Sequence, residues 1–205
     1  MKSLLSITLL LFCITGFAQE VTVTQTTERS ESIKPLRIGT KLGIPSLITL
    51  NAEYVTPLLD ERVAATLDFI SLSKTVDDVS VKYNNFEFGA NVYLKETGKG
   101  LYASLTYLSF KSTGTFEDVD YDDGSFGPGT AKIDFSTVNF KVGAKLGRVF
   151  YFRAELGYGF GKIPETVVVN SNNSAATAEE DIPAIPGMSS SGTVIFNIGF
   201  GFGFL

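Results

Sequence analysis

The feature that most constrains the fold is a two-residue alternation of apolar and polar side chains, which recurs from residue 36 onward. In the last such segment, Phe196, Ile198, Phe200, Phe202 and Phe204 alternate with Asn197, Gly199, Gly201 and Gly203. Successive side chains of a β-strand point to opposite faces, so this period predicts strands with one apolar and one polar face. No stretch after residue 35 keeps helical spacing long enough to predict a helix. The sequence therefore predicts an all-β fold.

Eight segments carry the alternation, and their connections differ in length. The predicted strands lie at 36–44, 49–54, 63–69, 86–94, 101–107, 138–146, 150–160 and 196–204. The connections 57–61, 95–100 and 147–148 are short. The other connections lengthen along the chain, from 45–46 through the stretch around Asp77-Asp78 to 112–131 and 163–190. Short turns at one end and long loops at the other are typical of outer-membrane barrels. Residues 36–205 are thus predicted to form an eight-stranded antiparallel up-and-down transmembrane β-barrel with short periplasmic turns and longer extracellular loops.

The polar face separates a membrane barrel from a soluble, ligand-carrying barrel, which also has about eight strands. In a soluble barrel the polar face meets water and should be rich in Lys, Glu and Thr. Here that face is crowded with glycine and carries a few charged side chains. Because an eight-stranded barrel is only just wide enough for side chains to fill it, this mixture suits a narrow polar lumen. We expect the apolar face to meet lipid, and a soluble periplasmic lipocalin-like barrel is the alternative.

Nine charged residues share the polar face and form the candidate site. Five are basic and four acidic: Arg37, Lys41, Lys141, Lys145 and Arg153, with Glu53, Asp68, Glu87 and Glu155. An unpaired charge in a confined lumen is costly, whereas nearly balanced charges can pair across it. Two interpretations stay open: a salt-bridged plug that holds the barrel shut, or an ion path whose selectivity these groups set. The narrowness of the barrel favours the plug.

The N-terminal residues have the three-part pattern of a secretory signal peptide. A basic start is followed by the apolar run 4–14 and by small residues before Gln19, which predicts a signal peptide at 1–18. Cys13, the single cysteine, leaves with it, so the mature chain is expected to have no thiol chemistry. The polar, Thr-rich stretch 19–35 is expected to be a flexible periplasmic N-terminal segment.

The last strand carries a family resemblance. Residues 194–205, VIFNIGFGFGFL, look like the closing strand of bacterial outer-membrane proteins. Together with Gly39-Thr40-Lys41-Leu42-Gly43, they make the chain resemble the small outer-membrane β-barrel family common in Bacteroidetes, and more distantly the OmpA-type transmembrane domain, over residues 36–205. The resemblance implies the cell outer membrane, contact with its lipid, and an assembly signal at Phe200, Phe202 and Phe204 that the assembly machinery reads. One departure is that Leu205 follows the aromatic residue that ends the family pattern.

The composition speaks against chemistry at a site. The chain has no His. The enzymes known on small outer-membrane barrels resemble one another in needing His, and without it no base is available to activate a hydroxyl. We expect no enzymatic activity, no cofactor and no metal site. The net charge of −5 offers no field for nucleic acid. The acidic run 117–123 superficially resembles a calcium loop that begins at Asp118, but Asp123 and Gly129 break the pattern at its positions six and twelve. A solvated loop is expected there, with weak divalent-cation binding as the alternative.

These features predict a non-enzymatic integral outer-membrane protein. Its role would be structural, or one of surface interaction through the extracellular loops, whose partner the residues do not identify. A monomer is expected. The alternative function is a narrow channel or carrier for small or apolar solutes.

Overall fold

The computed structural model describes residues 34–204, with gaps at 77–78, 97 and 184. The predicted signal peptide at 1–18 lies outside the described residues, as does the predicted flexible N-terminal segment up to residue 33. Eleven strands occur in the described part: β1 Leu36–Ile44, β2 Leu47–Val55, β3 Val63–Val76, β4 Val79–Tyr93, β5 Gly100–Asp120, β6 Phe126–Gly147, β7 Phe150–Phe160, β8 Thr166–Ser171, β9 Thr177–Asp181, β10 Met188–Ser189 and β11 Gly192–Phe204.

Eight of these strands close into a ring. Each strand from β1 to β6 pairs antiparallel with the next, β7 pairs with β11, and β11 pairs with β1. The prediction of an all-β, antiparallel, up-and-down arrangement of eight strands is confirmed. The remaining strands lie outside the ring: β8 pairs with β6 and β9 with β8, and β10 pairs with the start of β11.

The two faces of the ring differ sharply in polarity. On β7, Tyr151, Arg153 and Glu155 are buried, whereas Phe152 and Leu156 are exposed. The same alternation holds along β1, β2 and β11. The inner face of the ring is therefore polar and buried, and its outer face is apolar and exposed. A soluble barrel would have the opposite arrangement, with its polar face in water.

Glycines on the inner face allow the strands and long side chains to approach closely. At Gly143, an added Cβ would lie 2.6 Å from Tyr102 Cζ and 2.9 Å from the Ala154 carbonyl oxygen. At Gly157, it would lie 2.7 Å from Cγ of Lys141. These distances are shorter than a real Cβ tolerates, so the glycines make room for tyrosine and lysine side chains inside the ring.

Strands β3 to β6 are longer than predicted, which corrects the loop assignments. β3 ends at Val76 and β4 begins at Val79, so most of the long loop expected around Asp77 is strand. The predicted loop 112–131 is mostly β5 and β6, which are separated by residues 121–125. The predicted loop 163–190, including the tract 170–177 expected to be flexible, contains β8, β9 and β10.

The strands are longer than predicted because the apolar–polar alternation does not stop at these positions. It continues with the apolar and polar faces exchanged. On β3, Leu67 and Phe69 lie on the outer face, whereas the next apolar residues, the half-buried Ile70 and the exposed Leu72, take inner-face positions because alternation continues. The register pairs Phe69 with Phe86 and Tyr107 with Val138, and the outer face turns polar directly beyond these pairs: Ser71, Asn84, Ser109 and Ser136. The part of β3–β6 beyond this level, together with β8 and β9, is called the extension below.

Candidate functional site: the charged interior of the ring

The nine charged residues predicted from the sequence all lie on the inner face. They come from six strands, and each exposes 5% or less of its surface. β1 supplies two of them, β6 and β7 two each, and β2, β3 and β4 one each. Burial of so many charges is costly unless each one is paired and hydrogen-bonded. Their partners therefore determine whether the interior is stable.

Glu53 lies where three cations meet. Arg37 Nη1 donates to its Oε1 at 2.9 Å and Arg153 Nη2 donates to its Oε2 at 2.9 Å. Lys145 Nζ also donates to Oε1. The three cations come from β1, β6 and β7, so one carboxylate on β2 links strands from different parts of the ring. We expect Glu53 to be the most important single charge of the interior.

Tyrosine and asparagine side chains complete the carboxylate contacts. The Tyr93 hydroxyl donates to Glu53 Oε1 at 2.9 Å, and Asn91 Nδ2 donates to Oε2 at 2.8 Å. The Tyr102 hydroxyl donates to Glu155 Oε1 at 2.7 Å. A buried carboxylate with several donors has its lone pairs satisfied as well as its charge.

Glu155 and Asp68 extend the contacts along the interior. Lys41 Nζ lies 3.2 Å from Glu155 Oε2 and 2.7 Å from Asp68 Oδ2. Arg153 Nη1 lies 3.5 Å from Glu155 Oε1, so Arg153 contacts both Glu53 and Glu155. The ion pairs thus run without interruption from Arg37 on β1 to Asp68 on β3.

Glu87 joins the same set through Lys141. Lys141 Nζ donates to Glu87 Oε1 at 2.5 Å and lies 3.9 Å from Glu155 Oε2. Asn139 Nδ2 donates to Glu87 at 3.1 Å, and the Thr106 hydroxyl donates to the same oxygen. The nine charges therefore form one connected set, called the interior network below.

At the end of the short turns, a tyrosine-rich cluster closes the ring. Val55, Ala64, Tyr93 and Tyr102 are buried against one another, with the two tyrosine ring centroids 5.0 Å apart. Below them, Arg37 Nη1 donates to the carbonyl of Gly98 in the connection after β4. Side chains and backbone together thus cover the network at this end.

At the opposite end, the inner face becomes apolar. Leu108, Phe135 and Ile163 are buried together, and Phe110 and Met188 pack against them. The Phe110 and Phe135 rings stack at a centroid distance of 4.6 Å. Because this cluster lies directly beyond the polar inner positions of β5 and β6, the network is covered at both ends.

The sequence prediction did not single out the tyrosines of the interior. Tyr93, Tyr102 and Tyr151 are buried at 2% exposure or less, and Lys145 Nζ lies 4.9 Å from the ring centroid of Tyr151. The signal that could have found them is parity: each shares its strand face with a charged or polar inner residue. Tyrosine was not singled out because its type alone fits either face.

The predicted C-terminal assembly residues lie on the outer face of β11. Phe200, Phe202 and Phe204 are all about half exposed, and Phe202 packs edge-on against Phe150 at 5.3 Å. They belong to the apolar exterior of the ring and not to the interior network. Leu205 lies outside the described residues.

The acidic run lies partly in strand β5, which corrects its assignment to a loop, whereas its acidic side chains are exposed to solvent as predicted. Residues 117–120 belong to β5, and Tyr121 is buried with Val169 and Ala178. The Asp123 carboxylate accepts hydrogen bonds from the Ser125 hydroxyl at 2.6 Å and its amide at 2.9 Å, which lower the pKa of Asp123. Among the described residues, no group of three or more acidic, His or Cys side chains is placed to hold a metal ion.

Comparisons with known proteins give a limited likeness. No protein-family model and no curated protein matches the sequence. Among solved structures, the chain is similar to Acinetobacter baumannii CarO2, with 14% identity and a TM-score of 0.42 over 85% of this chain and 100% of that chain. It is also similar to Acinetobacter baumannii CarO, with 12% identity and a TM-score of 0.41 over 83% and 98%. Likenesses at these values assign no family or role. The part of the chain that the structure describes contains no helix long and apolar enough to cross a membrane.

Proposed function

We propose that the chain is a non-enzymatic integral β-barrel of the bacterial outer membrane. In this proposal the ring spans the bilayer, the short turns face the periplasm, and the extension stands outside the cell. One observation carries the proposal: the polar face of the ring is buried, its apolar face is exposed, and on β3–β6 both polarities reverse beyond a single level of the strands. A surface that meets lipid below this level and water above it has this pattern.

The amount of exposed apolar surface supports the membrane placement. Val142 and Leu156 face each other across β6 and β7, and each exposes 56% of its surface. Similar residues continue around the ring, including Leu105 on β5 and Ile198 on β11. Contiguous apolar patches on soluble monomers rarely exceed a few hundred Å². Placing this surface in hydrocarbon removes the free-energy cost of exposing apolar side chains to water.

Strand length agrees with the thickness of a bilayer. β1 has nine residues and β7 has eleven, and both lie entirely in the ring. A transmembrane strand needs about 9–11 tilted residues. The extra length of β5 and β6, with 21 and 22 residues, lies in the extension, where the outer face is polar.

The interior network supports a structural role for the lumen. Its charges pair with one another, and apolar or tyrosine clusters cover both ends, as a plug requires. The extension then supplies the surface for interactions outside the cell, with the acidic residues Glu179, Glu180 and Asp181 on its edge strand β9. The exposed phenylalanines at the end of β11 support recognition by the assembly machinery. We propose a monomer that needs no cofactor.

Planar-bilayer recording tests the plug against the channel alternative. Purified protein inserted into a bilayer is expected to show no steady openings, because the interior network and its two covering clusters fill the ring. Arg153→Gln alters the network, and Lys82→Gln, which changes an exposed residue on the outer face of the extension, is the control. Steady openings of the wild type that change with Arg153→Gln but not with Lys82→Gln would favour the channel.

Epitope tags on intact cells test the location and the orientation. A tag after Asn172, in the exposed β8–β9 connection, is expected to bind antibody on intact cells. The matched tag after Asp60, in the exposed β2–β3 turn, should bind only after the outer membrane is breached. Binding at Asp60 without binding at Asn172 would reverse the orientation. Binding at neither site before breaching would contradict placement in the outer membrane.

A further inference from the structure

A groove crosses the exposed apolar wall of the ring. It has a volume of about 450 Å³, and its lining includes Leu94, Leu101, Ala103, Ala154, Leu156 and Phe196. The two alanines lie between larger apolar side chains. The volume falls within the range of about 300–1,000 Å³ that is typical of ligand pockets. This feature is called the wall groove below.

The wall groove runs across four strands of the ring. It starts near the short turns, where the Leu94 amide hydrogen-bonds to the Leu101 carbonyl. It then crosses β5, β6 and β7 to Phe196 on β11. Three strand spacings of about 4.8 Å give an extent of roughly 14 Å across the strands. One end of the groove therefore lies at the level of the short turns.

Basic side chains flank the end of the wall groove nearest the short turns. Lys95 directly follows Leu94, and Lys99 lies two residues before Leu101. Lys95 is exposed and Lys99 half-buried. The one acidic residue described between them, Glu96, has its Oε1 3.1 Å from Arg62 Nη2, so its charge is partly neutralised. The flank is therefore positive, at the level where the headgroups of the inner leaflet would lie.

We propose that the wall groove binds one acyl chain of an anionic phospholipid of the inner leaflet, whose phosphate contacts Lys95 and Lys99. The proposal rests on the proposed function, because acyl chains reach the groove only if the ring spans the membrane. A stable protein partner buries about 800 Å² on each side, far more than a groove of this volume presents. The apolar lining, the volume and the positive flank all match a single phospholipid chain with an anionic headgroup.

Groove filling tests the acyl-chain contact. The protein is reconstituted in vesicles of phosphatidylglycerol and phosphatidylethanolamine, extracted in mild detergent, and examined by native mass spectrometry. The wild type is expected to retain one phosphatidylglycerol. The double variant Ala103→Leu, Ala154→Leu should lower the retained fraction by about tenfold or more. The control is Ala65→Leu, on the outer face of β3 opposite Ala90 and away from the groove, which should retain lipid as the wild type does.

Charge removal tests the headgroup contact. Lys95→Gln with Lys99→Gln should abolish the preference for phosphatidylglycerol over phosphatidylethanolamine, whereas Lys74→Gln in the extension should keep it. Absence of a retained lipid in the wild type, or equal retention by the groove-filled variant, would overturn the inference. Flotation of the same samples in alkaline carbonate separates this failure from failure of the proposed function. If the protein floats with the vesicles but retains no lipid, only the lipid-binding groove is contradicted. If it does not float, both the groove and the proposed membrane placement are contradicted.

Discussion

Replacing Glu53 by Gln is expected to lower the free energy of unfolding by about 3–5 kcal/mol, the cost of breaking a buried ion pair by removing one partner. Glu53 exposes only 1% of its surface and contacts Arg37, Lys145 and Arg153. Glutamine has nearly the same shape but no charge, so these buried cations lose their shared counter-charge. Urea unfolding in lipid vesicles, followed by tyrosine fluorescence, measures the difference.

The control for this variant is Glu96→Gln. Glu96 pairs with Arg62 at 3.1 Å, with the Glu96 side chain mostly and the Arg62 side chain partly exposed to solvent. An exposed pair of this kind contributes about 0–1 kcal/mol, so Glu96→Gln should unfold nearly as the wild type does. Equal stability of the two variants would show that the interior network does not hold the ring together.

Replacing Leu156 by Arg is the second large effect, with an expected loss of about 2–4 kcal/mol in lipid. Leu156 lies on the outer face of β7 and pairs with Val142 and Phe196 in the middle of the apolar band. Moving a charged guanidinium from water into hydrocarbon costs free energy, whereas moving a leucine side chain into hydrocarbon is favourable. The same unfolding assay in vesicles measures the change.

Ser71→Arg is the matched control, because Ser71 is an outer residue of β3 just beyond the polarity reversal and is exposed. Its replacement should alter stability by less than about 0.5 kcal/mol. If Leu156→Arg is as stable as the wild type in vesicles, the outer face of β7 does not meet hydrocarbon.

The ring strands could be predicted from the sequence, but the extension could not. A constant phase of alternation ends strand three at Phe69. At that point two apolar residues, Phe69 and Ile70, are adjacent, and the phase shifts by one. The same shift occurs at Tyr107-Leu108 in β5. Alternation with a reversed phase still encodes a strand; only the face that meets lipid or water has changed.

The charged positions of the interior could also be read from parity, because charged residues have a strong preference for one face. The pairing between individual cations and carboxylates could not be predicted from parity. Which cation meets Glu53 depends on the register of β1, β2, β6 and β7 and on closure of the ring, which no local pattern encodes. Tyr93 and Tyr102 were not singled out because tyrosine suits a lipid interface as well as a polar interior.

Cysteine accessibility at two positions of β3 tests the membrane placement most directly. In a Cys13→Ser background, Leu67→Cys lies on the outer face in the apolar band, and Ser71→Cys lies on the same face beyond the reversal, about 13 Å away along the strand. With protein in intact vesicles and the extension outside, a charged maleimide added outside is expected to label residue 71 and to leave residue 67 unlabelled until the protein is unfolded in detergent. Labelling of both positions at the same rate in intact vesicles would contradict the proposal that the ring spans a bilayer.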